Sequence, residues 1–326
     1  MMQITLVEAV NLALKRAMQD DRNVVVLGQD VGVDGGVFRA TLALAERFGA
    51  ERVIDTPLAE ALIIGMAIGM AAEGLRPIAE IQFAGFSYST IDQLLNHAGR
   101  MRYRTRGRLS CPLVMRTPCG AGIHAPEHHS ESPESMFAHI PGIRVVYPSS
   151  PRRAYGLLLA AIRDPDPVVF LEPTRLYRLF KEEVDDNGET LALDTCFTLR
   201  EGSDVTLVSW GAMAQESLAA AADLAEEGIN AEVIDVATLK PLDMDTILAS
   251  VAKTGRCVIV SEAAHTCSFA SEIAANLAED GLLTLLAPVV RVTGYDVVVP
   301  LPRLEKHYMP GKARIARAAK KVVEFG

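Results

Sequence analysis

Short β-branched runs alternate, twice over, with stretches whose apolar residues recur every three or four positions, and this rhythm restricts the chain more than any other feature. In the first half it predicts strands at 24–27, 52–55, 78–83, 113–116, 144–147 and 168–171, with helices at 6–19, 57–73, 91–102, 132–139 and 151–163. Thr56-Pro57 and Ser150-Pro151 each place a hydroxyl before a proline, the pattern of a cap followed by a first helical residue. The rhythm lapses into acidic and turn residues in KEEVDDNGET and then restarts. The second half predicts strands at 205–210, 231–236, 257–261 and 289–293, with helices at 214–227, 243–253, 268–279 and 312–322. Two doubly wound α/β domains with mostly parallel sheets follow, at 1–180 and 197–326, joined by a linker at 181–196. Ligands of such sheets gather beyond the carboxyl ends of the strands, so loops that follow strands are where chemistry is expected.

Charge and cysteine content narrow the functional classes. The chain has 32 basic and 41 acidic residues and a net charge of −9, a poor balance for binding nucleic acid. The alternating Arg100, Arg102, Arg104, Arg106 and Arg108 are read as a solvated or interface-facing segment. The 5 cysteines are odd in number and lack two-residue spacing, which suits a reducing, cytoplasmic setting. Glu8 and Lys15 give the N-terminal apolar residues a helical rhythm rather than that of a signal peptide. The apolar run 61–72 lies between Glu60 and Glu73 and falls short of the ~20 residues that span a bilayer, so a buried helix is expected and no membrane partner.

Two segments hold the residues that could carry chemistry. In DTPLAEALIIGMAIGMAAEG, a capping-box carboxylate would stand at Ala59, three residues after Thr56, yet the carboxylate is Glu60. Glu60 is either a glutamate favoured by the helix dipole or a carboxyl that shares a proton with a partner nitrogen. Gly65 and Gly69 would permit close approach of another helix, within the chain or from another subunit. In TPCGAGIHAPEHHSESPE, a glycine-rich loop after a strand carries His124, His128 and His129. Their spacing is not that of a zinc helix, so a metal site is the weakest reading beside a catalytic histidine and a purely structural set. No Walker loop, GxGxxG after the first strand or GxSxG elbow is present, and the glycines of GQDVGVDGG read as turns.

Taken together and in order, LGQDVG, GGVFRAT, RVIDTPLAE, GMAIGMAAEGLRP, EIQFAGF, HHSESPE, PGIRVV, AIRDPDPVVFLEP, KPLD, SVAKTGR and RVTGYD resemble the β subunit of the thiamine-diphosphate-dependent 2-oxo acid dehydrogenases, the decarboxylating component of pyruvate and branched-chain complexes. The resemblance spans essentially the whole chain. It implies a transketolase-like pyrimidine-binding domain followed by a transketolase C-terminal domain, in a heterotetramer with an α subunit and a second β subunit. The implied activity is decarboxylation of a 2-oxo acid and transfer of the acyl group to a lipoyl domain of an acyltransferase core. The α subunit would hold magnesium and the diphosphate through a GDG motif absent here, so the chain is expected to need that partner.

The same resemblance assigns roles to individual residues. Glu60 would hydrogen-bond the cofactor's aminopyrimidine ring and activate it, Phe86 would stack beside that ring, and Leu58 would join them at the cofactor. His129 would orient the substrate or intermediate and assist acyl transfer, with His128 a weaker candidate and His124 at the loop entrance. A potassium site would fall near Leu113, Val114, Ala161, Asp164 and Asp166. Departures from the family pattern stand at Gly85 in place of aspartate, Asp166 in place of asparagine, and Gln29 in place of a glutamate in the network thought to connect two active sites. Two competing readings are a non-catalytic assembly subunit and half of a split transketolase. The choice of 2-oxo acid, the acyltransferase-binding surface and core symmetry, occupancy of the potassium site and the consequence of Gln29 are not legible in the residues.

Overall fold

Strands covered on both faces need nearly continuous apolar runs, and the runs of this chain form two such sheets. The computed structural model describes residues 1–325. They fall into two compact units, one of Met1–Cys119 and Met136–Leu193, the other of Gly120–Ser135 and Asp194–Gly326.

In the first unit, parallel strands run in the spatial order Arg144–Val146, Val168–Pro173, Val114–Cys119, Arg76–Glu80, Val24–Gly28, Val53–Asp55. The chain goes from Val24–Gly28 to Val53–Asp55 on one side, then returns to Arg76–Glu80 on the other. The topological switch therefore lies between Val24–Gly28 and Arg76–Glu80, the place where sheets of this kind bind ligands beyond the strand ends. Gly28 is required there, because a Cβ would stand 2.7 Å from the Glu80 carbonyl oxygen. The amphipathic helices Leu6–Asp20 and Pro151–Arg163 pack on one another. Thr5 and Glu8 form a capping box at the first, and Ser150 accepts the Arg153 N–H at the second.

Several expected boundaries move, each for a local reason. The helix expected at 57–73 is Glu60–Ala72, and Thr56 does not cap it. The Thr56 N–H donates to the Gly28 carbonyl at 3.0 Å, which keeps Thr56 in the strand ladder, and the chain turns only afterwards. The helix expected at 91–102 is interrupted near Gly99, whose position leaves no room for a side chain beside the Pro141 carbonyl, 2.7 Å from a would-be Cβ. The strand expected at 78–83 ends at Glu80, and Ala84–Ser87 turns into a short helix. Within the stretch read as linker, Glu182–Val184 forms a strand antiparallel to Met2–Ile4.

The second unit has parallel strands in the order Val290–Val292, Cys257–Val260, Val205–Ser209, Ala231–Asp235, with Phe197–Arg200 added antiparallel at the edge. Helices Ala212–Glu226 and Lys312–Val323 pack together. Met244–Thr254 starts at Asp243, whose carboxylate accepts the Thr246 N–H, and stops at Gly255 in the left-handed region, φ 69°. Among the described residues no helix is long and apolar enough to cross a membrane.

Candidate active site

Glu60 opens its helix rather than lying a turn inside it. Ala59, at φ −157° and ψ 79°, ends the extended chain, and the next residue is helical. The Glu60 carboxyl thus sits where the helix dipole favours negative charge. It is half-buried, and among the described residues its side chain has no hydrogen-bond partner. Ile63 and Ile64 anchor the helix in the core, while Leu58 and Leu62 stay 60% and 53% exposed beside the carboxyl. Along the same helix, a Cβ on Gly65 would meet Gln93 at an ordinary 3.5 Å, and one on Gly69 would meet nothing within 4 Å. Nothing inside the chain needs Gly69 to be small.

The switch point of the first unit has its own unmet polar group. Gln29 follows Val24–Gly28, and its side-chain Oε1 is buried without a partner, although Gln82 Nε2 reaches the Gln29 carbonyl at 3.5 Å. A buried acceptor left open is costly unless a ligand or another chain meets it. Phe86 lies half-buried and edge-on to Phe83, 6.0 Å between centroids, and Phe83 continues through Phe38 to Tyr177. That aromatic row ends on a buried ionic cluster. Arg116, 1% exposed, donates to Glu172 at 2.7 and 3.0 Å and to Glu80 at 2.9 Å, and Tyr177 donates to Glu172 at 2.5 Å. Burial pushes the Glu80 carboxyl above the usual range, with Arg116 opposing and Glu172 adding to the shift.

The histidine loop belongs by its contacts to the second unit, although it precedes most of the first unit's last strands in sequence. The Gly120 N–H closes its base on the Glu131 carbonyl at 2.8 Å. His128 and His129 end a short 3-10 turn with ring centroids 4.2 Å apart. Burial, and then repulsion from His128, holds the His129 imidazole below its ordinary range, while Glu127 opposes. His129 is therefore neutral, and able to accept a proton, at lower pH than a free imidazole. His124 points its Nδ1 at Glu305, 2.8 Å away. Glu134 is fully buried; Trp210 Nε1 and Ser261 Oγ each donate to its Oε1 at 3.3 Å, while its Oε2 has no partner. Burial raises the Glu134 carboxyl, against those two donors.

The five positions expected around potassium all fall in the first unit, by the start of Val114–Cys119 and the end of Pro151–Arg163. Oxygens of Asp164 and Asp166 already meet positive charge. Arg76 Nη1 donates to the Ile162 and Asp164 carbonyls at 2.9 and 3.3 Å, Arg144 pairs with Asp164 at 2.8 Å, and Arg102 pairs with Asp166 at 2.8 Å. The Leu113 carbonyl accepts the Val168 N–H, and that of Ala161 accepts the Asp164 N–H. The donor set suits a cation, and here guanidinium groups supply it. Among the described residues no cluster of three His, Cys, Asp or Glu could hold a metal ion. The five alternating arginines are all exposed, as expected of a solvated segment.

Sequence reasoning passed over Arg116, Gln82 and Glu305. For Glu305 a signal existed: it stands three residues before buried Tyr308 on one helical face, an odd place for a carboxylate. Arg116 had none beyond a charge inside an apolar run.

Comparison with known proteins agrees with this two-unit architecture. Residues 2–179 match the transketolase pyrimidine-binding domain and residues 195–315 the transketolase C-terminal domain. The pyruvate dehydrogenase E1 component subunit beta of Bacillus subtilis is 47% identical over 325 residues, covering 100% of both chains. The corresponding subunit of Staphylococcus epidermidis is 46% identical over the same span, again with 100% of both covered. Among solved structures, a chain described as split gene transketolase, inactive beta4 tetramer, superposes with a TM-score of 0.82 over 99% of both chains at 24% identity, a likeness of fold. The chain belongs to the transketolase-like family of β subunits of thiamine-diphosphate-dependent 2-oxo acid dehydrogenase decarboxylating components.

Proposed function

We propose that this chain, with an α subunit, decarboxylates pyruvate or a branched-chain 2-oxo acid and passes the acyl group to a lipoyl domain of an acyltransferase core in the cytoplasm. The observation that carries the reading is the Glu60 carboxyl, half-buried at a helix start and without a partner inside its own chain. The buried, unmet Gln29 Oε1 is a second acceptor awaiting a donor from outside. Both suit a nitrogen heterocycle bearing an amino group. Thiamine diphosphate, when bound, supplies a nucleophilic carbon and an electron sink for departing carbon dioxide.

Glu60 would hold a proton toward the pyrimidine ring nitrogen, with Leu58 giving it apolar cover from water. Phe86 offers a ring face that its edge-on contact with Phe83 leaves suited to stacking. His129 would orient the intermediate and assist transfer of the acyl group to the lipoyl sulfur. Magnesium and the diphosphate fall to the α subunit. Potassium would have to displace or share with Arg76. The open side of the Glu60–Ala72 helix, with Leu62 and Gly69 unpacked, suits a second β subunit.

The test is reconstitution with the α chain and a panel of 2-oxo acids, read with an artificial electron acceptor. Glu60→Gln is expected to assemble normally and lose about 100-fold or more in decarboxylation. Near-wild-type turnover would remove Glu60 from the chemistry and favour a pure assembly subunit. His129→Ala is expected to lose more in lipoyl acylation than in tetramer formation.

A further inference from the structure

The helix Pro302–Tyr308 lies far along the chain from the histidine loop, yet its one buried carboxylate reaches into that loop. Glu305, its side chain 3% exposed, accepts the Gly122 N–H at 2.7 Å, the His124 N–H at 3.3 Å and His124 Nδ1 at 2.8 Å. Among the described residues its partners are two backbone amides and one imidazole, with no lysine or arginine. The His124 ring is 71% exposed, so a carboxylate kept from water fastens a side chain that water surrounds.

The backbone shows what the fastening does. His124 adopts φ 59°, a left-handed conformation that is strained for a non-glycine residue. Such a conformation persists where its surroundings impose it, and here two amides and the ring converge on one carboxylate. With Nδ1–H given to Glu305, a neutral His124 carries its lone pair on the outward Nε2. Gly120 and Glu131 tie the loop at its base, and Glu305 ties its rising limb. The turn with His129 lies between these ties in sequence.

We propose that Glu305, acting with His124, is a positioning residue that holds the histidine loop in the geometry His129 needs for acyl transfer. The inference rests on the reading of His129 given above. Glu305 contacts no reacting atom; it acts through the loop.

The experiment compares Glu305→Ala, Glu305→Gln and His124→Ala in the assembled α/β holoenzyme by amide hydrogen exchange over 120–131, by acylation of a free lipoyl domain, and by turnover with an artificial electron acceptor. For Glu305→Ala, exchange at Gly122 and His124 is expected to quicken about tenfold or more. Lipoyl acylation is expected to fall about tenfold in kcat while artificial-acceptor turnover and the KM for the 2-oxo acid stay within about threefold. Glu305→Gln keeps an oxygen for the amides and is expected to recover most of the acylation; His124→Ala in the Glu305→Ala background is expected to add little further loss. Unchanged exchange would overturn the inference, as would faster exchange with intact acylation, or an equal fall in both activities alongside loss of the tetramer in both Glu305 variants. Failure of the His129 reading shows elsewhere, in His129→Ala holoenzyme that acylates the lipoyl domain as fast as the parent protein.

Discussion

Each unit buries carboxylates, and Glu80 and Glu172 of the first are handled differently from Glu134 and Glu305 of the second. In the first, Glu80 and Glu172 close around Arg116 and Tyr177, so charge and donor are supplied from within the sheet. In the second, Glu134 has a tryptophan and a serine on one oxygen and nothing on the other, and Glu305 is met by loop amides and an exposed histidine. A buried carboxylate balanced by a buried guanidinium serves the core; removing one partner is costly because the other is stranded. A buried carboxylate served only by neutral or loop groups transmits its position to whatever those groups carry. The first arrangement supports the sheet whose strand ends hold Gln29 and Phe86, and the second reaches the histidine loop directly.

The largest effect that would break this contrast is at Arg116. Arg116→Met should cost ~3–5 kcal/mol of stability, read by denaturant unfolding of the assembled protein, since two carboxylates lose their cation. A loss below about 1 kcal/mol would mean that the cluster neutralises itself by proton uptake and resembles the second unit after all. Next comes the pH dependence at Glu134. Burial raises its native proton affinity above the unfolded value of about 4.3, so its favourable contribution is full below that pH and declines as pH rises through the native value. The stability of the parent protein minus that of Glu134→Gln should therefore be greatest in acid and shrink toward neutrality; a difference that grows toward neutrality would place a hidden cation beside Glu134.

A smaller effect is expected at His128. His128→Ala removes one of the influences that depress His129, so the pH at which lipoyl acylation changes should move upward, though burial keeps it below that of a free imidazole. No movement would leave burial as the whole cause. The smallest concerns Arg76. Exchange of potassium for choline chloride should leave the melting temperature of the parent protein nearly unchanged, whereas Arg76→Ala should acquire a potassium-dependent rise of a few degrees. Strong potassium dependence in the parent would mean that the metal, not guanidinium, holds the end of Pro151–Arg163.

Much of the architecture was legible because it is local. Alternating buried runs and amphipathic stretches predicted the parallel strands and the long helices within a few residues, and a family resemblance spread over the whole chain pointed to the same two domains. The boundary at Glu60 was not legible, since it depends on Thr56 staying paired with Gly28, a residue supplied by another strand. Glu182–Val184 was read as linker because three residues have no period, and their partner lies at the N-terminus.

Read alone, the residues determined most of the strands and helices and drew attention to Glu60 and the histidine loop, because burial pattern and local spacing act over a few residues; it was the family resemblance that picked out His129. Tertiary structure alone decided that Arg116 balances two glutamates, that Arg76 sits on the carbonyl of Asp164, one of the positions expected around potassium, and that Glu305 grips His124 across 181 positions of chain. Those are meetings of side chains from distant elements, and no period within either element encodes them.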